Sequence, residues 1–218
     1  MAQMKTLPLP DAVNKIPNGA TLMIGGFMGV GTPERIVDEL VRQKKRDLVV
    51  IANDTAKPGI GIGKLIGAKL IRTAIVSHIG LNPETQAQMF AGDLTVELVP
   101  QGTLAERIRA YGYGLGGVLT PTGIGTVVQE GKRQIEIDGK GFLLETPLRA
   151  DFSLIHAFLA DYLGNLSYAL TARNFNPLMA MAGSCVVADA EHIVPVGLIA
   201  PDHVVTPAPL IDFLVTNS

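Results

Sequence analysis

The chain has 218 residues, 47% of them hydrophobic and 17% charged; this is too apolar and too weakly charged for disorder, and the length suits a single domain over 1–218. A formal net charge of −2, from 18 basic and 20 acidic residues, leaves no electrostatic footprint for a phosphate backbone and argues against a nucleic-acid partner. The single Cys185 excludes an internal disulfide and a cysteine-based zinc cluster and suits the reducing cytoplasm.

Met1 to Asp11 carries two prolines and Lys5 but no apolar run of signal-peptide length. No stretch approaches the ~18–20 consecutive apolar residues of a membrane span, so neither secretion nor membrane association is expected. A mean hydropathy of +0.31 with 24 glycines and no tryptophan predicts exposed apolar surface that a partner covers, hence an oligomer.

Thr21 to Ile24 reads as a strand that stops at Gly25-Gly26. Thr32 is expected to cap the next helix through its hydroxyl, with Pro33 at the first helical position and Glu34 at the positive end of the dipole. Ile36, Val37, Leu40 and Val41 share one face of that helix, and Lys44-Lys45-Arg46 closes it. Leu48 to Ala52 is a continuous apolar run of the buried parallel kind. Strands at Thr73–Val76 and Thr95–Val99 then alternate with helices at Glu84–Ala91 and Thr103–Arg109. From Thr126 the pattern changes: Gln134 to Ile137 alternates strictly, Asp138-Gly139 makes a turn, and Phe142 to Glu145 returns as the partner strand. Phe152–Phe158 and Cys185–Ala188 resume as strands, Asn176-Pro177 is expected to cap a helix to about Met181, and Pro207–Phe213 reads as the last helix. The fold class is therefore α/β, three-layered, with a mostly parallel open sheet, helices on both faces and a small antiparallel hairpin insertion.

The densest chemical signal is Gly25-Gly26-Phe27-Met28-Gly29-Val30-Gly31, between a strand and a helix amino terminus. Free amides there favour an anion, and glycine lets a phosphate or carboxylate approach the main chain; a plain tight turn is the competing explanation. The spacing is not a dinucleotide fingerprint. Gly112, Gly114 and Gly117 have the right spacing but the wrong flanking elements, and Gly59 to Lys64 lacks both the first glycine and the Ser or Thr of a phosphate loop. Asn53 and Gln101 fall just beyond two strand ends, on the rim where parallel sheets bind ligands, and neutral amides suit a carboxylate or thioester oxygen. His78, His156, His192 and His203 show no metal-ligand spacing.

Asn18 to Pro33, with its Asn-Gly, apolar strand, Gly-Gly-Phe and Gly-x-Pro, resembles the first signature of family I coenzyme A transferases. Further stretches are similar to the A (alpha) subunit of that family: Ile51 to Thr55, Ser77 to Gly80, Asn82 to Thr85, Pro100 to Arg109, Thr120 to Gly123, Asp161 to Asn165, Arg173 to Pro177 and Asp202 to Pro207. The likeness is greatest to acetate/butyrate–acetoacetate CoA-transferases. It implies ping-pong covalent catalysis, in which a glutamate passes through a mixed anhydride and a glutamyl-CoA thioester. It also implies that this nucleophile, in a Glu-Asn-Gly motif absent here, lies on a separate beta subunit, with two of each chain. To this chain it assigns Gly25 to Gly31 as a coenzyme A contact and Asn53 with Gln101 as supporting polar wall. Coenzyme A is then a substrate, with acyl-CoA and short-chain carboxylates exchanged and no tightly bound cofactor or metal. Tyr111 and Tyr113 depart from the small residues of relatives, and Ala208 replaces a glycine. A non-catalytic acyl-CoA or sugar-phosphate sensor of similar fold is the alternative, although neither end of the chain has room for a DNA-reading module.

Overall fold

The computed structural model describes residues 6–216; of the amino-terminal segment discussed above, Met1 to Lys5 lie outside the described residues. Strand β1 (Thr6–Pro8) and helix α1 (Leu9–Asn14) lead to β2 (Thr21–Ile24). The alternation continues through α2 (Glu34–Arg42), β3 (Leu48–Ile51), α3 (Gly63–Gly67), β4 (Ile71–Val76), α4 (Pro83–Ala91), β5 (Thr95–Leu98) and α5 (Gln101–Gly112). After β6 (Val118–Thr120), β7 (Gln134–Ile137) and β8 (Lys140–Glu145), the chain returns through β9 (Ala150–Asp161), β10 (Leu166–Ser167), α6 (Asn176–Met179), β11 (Gly183–Val194) and β12 (Phe213–Thr216).

The main sheet runs β1-β12-β11-β9-β2-β3-β4-β5, parallel throughout, with β10 antiparallel on β9. Because successive strand residues face opposite ways, Leu22 and Ile24 enter one apolar core while Met23 enters the other. The first core receives Ile36, Val37 and Leu40 of α2 with Leu65 and Ile66 of α3; the second receives Leu104 and Ile108 of α5 with Met179 of α6. Full burial of each such side chain stabilises the fold by about 1.5–3 kcal/mol, so helices are held on both faces and the molecule has three layers.

Several expectations need correction. Pro207–Phe213 is not a helix: Ala208–Leu210 makes one 3-10 turn, and Phe213–Thr216 becomes a strand between β1 and β11. Pro209 blocks helical continuation, and the following apolar run finds two pairing edges. The hairpin gains a third strand, since β6 pairs with β8. Pro33, not Thr32, occupies the cap of α2, which has no side-chain cap bond; the Glu34 amide donates to the Thr32 backbone carbonyl at 2.8 Å. Asn176 likewise lies inside α6 rather than capping it. Helix α4 has the side-chain cap, with Asn82 Oδ1 accepting from the Glu84 and Thr85 amides.

Candidate functional site

Strands β2 to β5 run parallel, so the segments that follow them emerge on one edge: Gly25–Gly31 after β2, Asn53 after β3, Ser77 after β4 and Gln101 after β5. Strand order reverses between β2 and β9, which makes this edge a topological switch point, the place where open α/β sheets bind ligands.

The glycine loop folds into a two-residue turn. Phe27 and Val30 exchange both backbone hydrogen bonds at 3.0 and 2.9 Å, with Met28 at φ 51° and Gly29 at φ 90° between them. Those positive angles match the twist of a tight hairpin. Gly26 at φ 122° gives its amide to Asn174 Oδ1 at 3.1 Å, and Asn174 Nδ2 donates to the Val30 carbonyl at 2.9 Å. Asn176 Nδ2 donates to the Gly31 carbonyl at 2.9 Å. Phe27, Met28 and Val30 remain exposed and line a cavity of ≈ 640 Å³ with Thr171 and Asn174. The free amides expected to cradle an anion are thus partly committed to internal bonds; the loop tip presents apolar side chains.

Asn53 is buried and Gln101 exposed, and the structure joins them: Gln101 Nε2 donates to Asn53 Oδ1 at 2.9 Å. Asn53 Nδ2 donates to Asp54 Oδ2 at 2.6 Å, and the same carboxylate oxygen accepts the Met28 amide at 2.8 Å. A bonded chain therefore runs from the glycine loop through Asp54 and Asn53 to the first residue of α5. Tyr111 lies in the last turn of that helix, ten residues or roughly 15 Å beyond Gln101 at 1.5 Å per residue, Tyr113 caps its end, and both are exposed.

Residues 8–217 match the family model described as Coenzyme A transferase. The chain belongs to the coenzyme A transferase family. This transferase is 53% identical over 213 residues to the acetate CoA-transferase subunit alpha of Escherichia coli (strain K12), covering 98% of this chain and 97% of that one. It is 48% identical over 198 residues to the acetoacetyl-CoA:acetate/butyrate CoA transferase alpha subunit of Clostridium acetobutylicum, covering 91% of each. Among solved structures, an acyl-CoA transferase of E. coli O157:H7 in a thioester complex with CoA is similar at TM-score 0.87 and 24% identity. The match covers 99% of the present chain but 48% of that one, so the transferase described here spans about half its length. Glutaconate coenzyme A-transferase of Acidaminococcus fermentans matches at TM-score 0.83 and 20% identity, over 97% of this chain and 75% of the other. These two likenesses establish the fold.

Asp54, Asn174 and Asn176 of the transferase fall in stretches that carry the family likeness, but the sequence named none of them as a site residue, and Asn176 only as a helix cap. The signal available was two asparagines flanking Phe175 before a proline, and a carboxylate directly after Asn53. Lys64, in the segment rejected as a phosphate loop, is engaged by carboxylates: its Nζ lies 2.6 Å from both Glu34 and Asp38. Burial opposes its charge, yet these two partners raise its pKa overall. A second cavity, of ≈ 440 Å³, is lined by Thr32, Arg35, His156, Asp189 and Glu191 among others; Arg35 is ion-paired to Asp189 there. Among the described residues no group of three or more His, Cys, Asp or Glu could hold a metal ion, and no helix is long and apolar enough to cross a membrane.

Proposed function

We propose that the chain is the alpha subunit of an acetate/acetoacetate-type CoA-transferase, working as one domain in the cytoplasm with a beta subunit, two of each. The reading rests on the match to alpha subunits along nearly its whole length, together with an absence of any Glu-Asn-Gly in the sequence. Gly25 to Gly31 contact coenzyme A, while Asn53 and Gln101 form a polar wall facing the beta subunit's glutamate. That glutamate attacks the acyl-CoA carbonyl and expels the CoA thiolate, giving a mixed anhydride. The thiolate then attacks the glutamyl carbonyl, releasing the first carboxylate and leaving a glutamyl-CoA thioester, which a second carboxylate resolves by the reverse steps. Amide donors stabilise the developing oxyanions without needing a proton, and a water-excluding interface protects both intermediates from hydrolysis. The exposed Tyr111 and Tyr113 are better placed to bury against the partner than to narrow the acyl pocket.

The deciding experiment traps the thioester. The isolated chain is expected to fold and be catalytically silent, and addition of the beta subunit to restore activity. After acyl-CoA and borohydride or hydroxylamine, mass spectrometry is expected to find the modification on the partner. A label on Glu34, Glu84 or Glu106 of this chain, or transfer by this chain alone, would overturn the division of labour. Glu34 is already held by Lys64 and the Gly61 amide, and Glu106 by Arg109.

A further inference from the structure

Asp54 is buried at 6% exposure, and its carboxylate is filled from three directions. Oδ1 accepts the Ala56 amide at 2.6 Å; Oδ2 accepts the Met28 amide at 2.8 Å and Asn53 Nδ2 at 2.6 Å. An ionised carboxylate only accepts. Asn53 must therefore turn its NH2 toward Asp54, because the reversed amide would set two oxygens against each other with no proton between them. Its backbone is fixed as well, since the Asn53 carbonyl accepts both the amide and the hydroxyl of Ser77, at 2.9 and 2.6 Å. With its NH2 committed to Asp54, Asn53 presents Oδ1 to Gln101, which accepts Gln101 Nε2–H at 2.9 Å. One N–H of Gln101 is consumed in this way, leaving the other N–H and Oε1 for a ligand.

We infer that Asp54 is the positioning residue of the site: one carboxylate sets the amide polarity of Asn53 and Gln101 and ties it to the position of the glycine loop through the Met28 amide. The inference rests on the reading of Asn53 and Gln101 as the polar wall. It assigns Asp54 no contact with the reacting atoms. Displacement of the loop at Met28 and reorientation of the amide pair become one event, because both pull on Oδ2.

The test uses the alpha–beta complex with acetyl-CoA as donor. Asp54→Asn keeps the size but loses the charge and leaves one acceptor oxygen for the three N–H groups of Met28, Asn53 and Ala56, setting its own NH2 against at least one of them; kcat is expected to fall roughly ten- to hundredfold, the loss of a charge-assisted hydrogen bond, with a much smaller change in KM for the carboxylate. Because Asp54 reaches the amide pair through Asn53, adding Asp54→Asn to Asn53→Ala is expected to lower kcat by much less than the product of the two single losses, the remaining arm through Met28 appearing in the KM for acetyl-CoA, whatever the double variant does to the thermal midpoint. Should Asp54→Asn not assemble, Asp54→Ser keeps a small acceptor for the Ala56 amide and carries the same cycle. Wild-type kcat in the Asp54 variant, or losses that simply multiply with Asn53→Ala, would overturn the inference while leaving the polar wall intact. Wild-type kcat in Asn53→Ala and Gln101→Ala would instead remove the polar wall and this inference with it.

Discussion

A Cβ added to Gly25 would fall on Asn176 Oδ1, so the glycine after β2 and the first residue of α6 are a matched pair, 151 positions apart in sequence. That contact holds the glycine loop against the opposite layer of the molecule. Asn176 has no exposed surface; it accepts the His156 amide at 3.0 Å and donates to the Gly31 and Ala172 carbonyls at 2.9 and 2.8 Å.

Asn176→Ala is expected to destabilise the chain by about 3 kcal/mol, because it leaves buried backbone groups without partners. Gly25→Ala alone costs about 1–3 kcal/mol from overpacking. Combined, the two should cost less than their sum, since the alanine at 176 vacates the space that the new methyl needs. Urea unfolding of all three variants gives the coupling energy directly; strict additivity would mean the two residues do not meet.

Gln101→Ala is expected to reduce turnover in the full complex by ~2–4 kcal/mol of transition-state stabilisation, the size of a lost oxyanion donor, and Asn53→Ala to reduce it by no more than that, by releasing the Gln101 amide that Asn53 Oδ1 holds. Gln101 is exposed, so its variant should keep the wild-type melting temperature. Steady-state kinetics beside thermal melts separate the two effects, and a variant with unchanged turnover loses its place in the site.

The small antiparallel sheet is fastened to α5 through Glu145, which is buried at the end of β8. Lys132 Nζ lies 2.6 Å from it and Arg107 Nε 3.8 Å. Glu145→Ala strands Lys132, whereas Arg107 keeps Glu97 Oε1 at 3.1 Å and the Thr146 carbonyl at 2.8 Å; with Lys132 partly exposed the expected loss is about 1–2 kcal/mol, below the figure for a wholly buried pair. Limited proteolysis should cut faster between residues 118 and 145 in this variant, with the main sheet spared; an unchanged digestion pattern would show that the sheet is held by its apolar contacts.

Two neutral groups predict alkaline sensitivity. Burial pushes the Tyr168 hydroxyl up to about 12, with Thr206 Oγ1 at 2.7 Å as its partner, and burial with the nearby Asp212 pushes the Cys185 thiol up to about 11. In each the unfolded chain ionises first. Their contribution is therefore intact below the ordinary values of 9.0 for the thiol and 10.0 for the phenol and is lost as pH climbs toward 11 and 12. Unfolding free energy measured from pH 8 upward should decline across that window, and the decline should shrink in a Tyr168→Phe, Cys185→Ser double variant. At pH 7.5 Cys185 should also alkylate slowly, because little thiolate is present.

The parts of the fold that were legible beforehand are those whose signal is local. Ile36, Val37 and Leu40 declare their helix by period, Leu48 to Ile51 its buried strand by unbroken apolarity, and Gln134 to Glu145 its hairpin by alternation around Asp138-Gly139. Strands β9 and β11 proved longer than their apolar centres, because pairing with each other along ten register positions supports residues such as Asp161 and His192 that carry no strand signal of their own. The strand Phe213–Thr216, of which only Phe213 is assigned from sequence and that to a helix, was missed for a related reason: only the two edges beside it make that segment a strand.

The candidate site divides along the same line. Local spacing sufficed to put the glycine loop, Asn53 and Gln101 beyond strand ends, since a strand's carboxyl end is readable from where its apolar run stops. The tertiary structure alone decided what these residues do to one another. Asn53 and Gln101 are joined by a hydrogen bond across 48 positions, and Gly26 is held by Asn174 across 148; neither distance leaves a trace in sequence period. A side-chain amide also looks the same in sequence whichever way it faces, and its direction here is set by the carboxylate of Asp54. By itself the sequence determined the elements that carry a local burial pattern and the points where the strands leading to the site stop; the lengths of β9 and β11, the strand at Phe213–Thr216 and the meeting of the polar groups are fixed by sheet order and chain crossing, which exist only in the folded molecule.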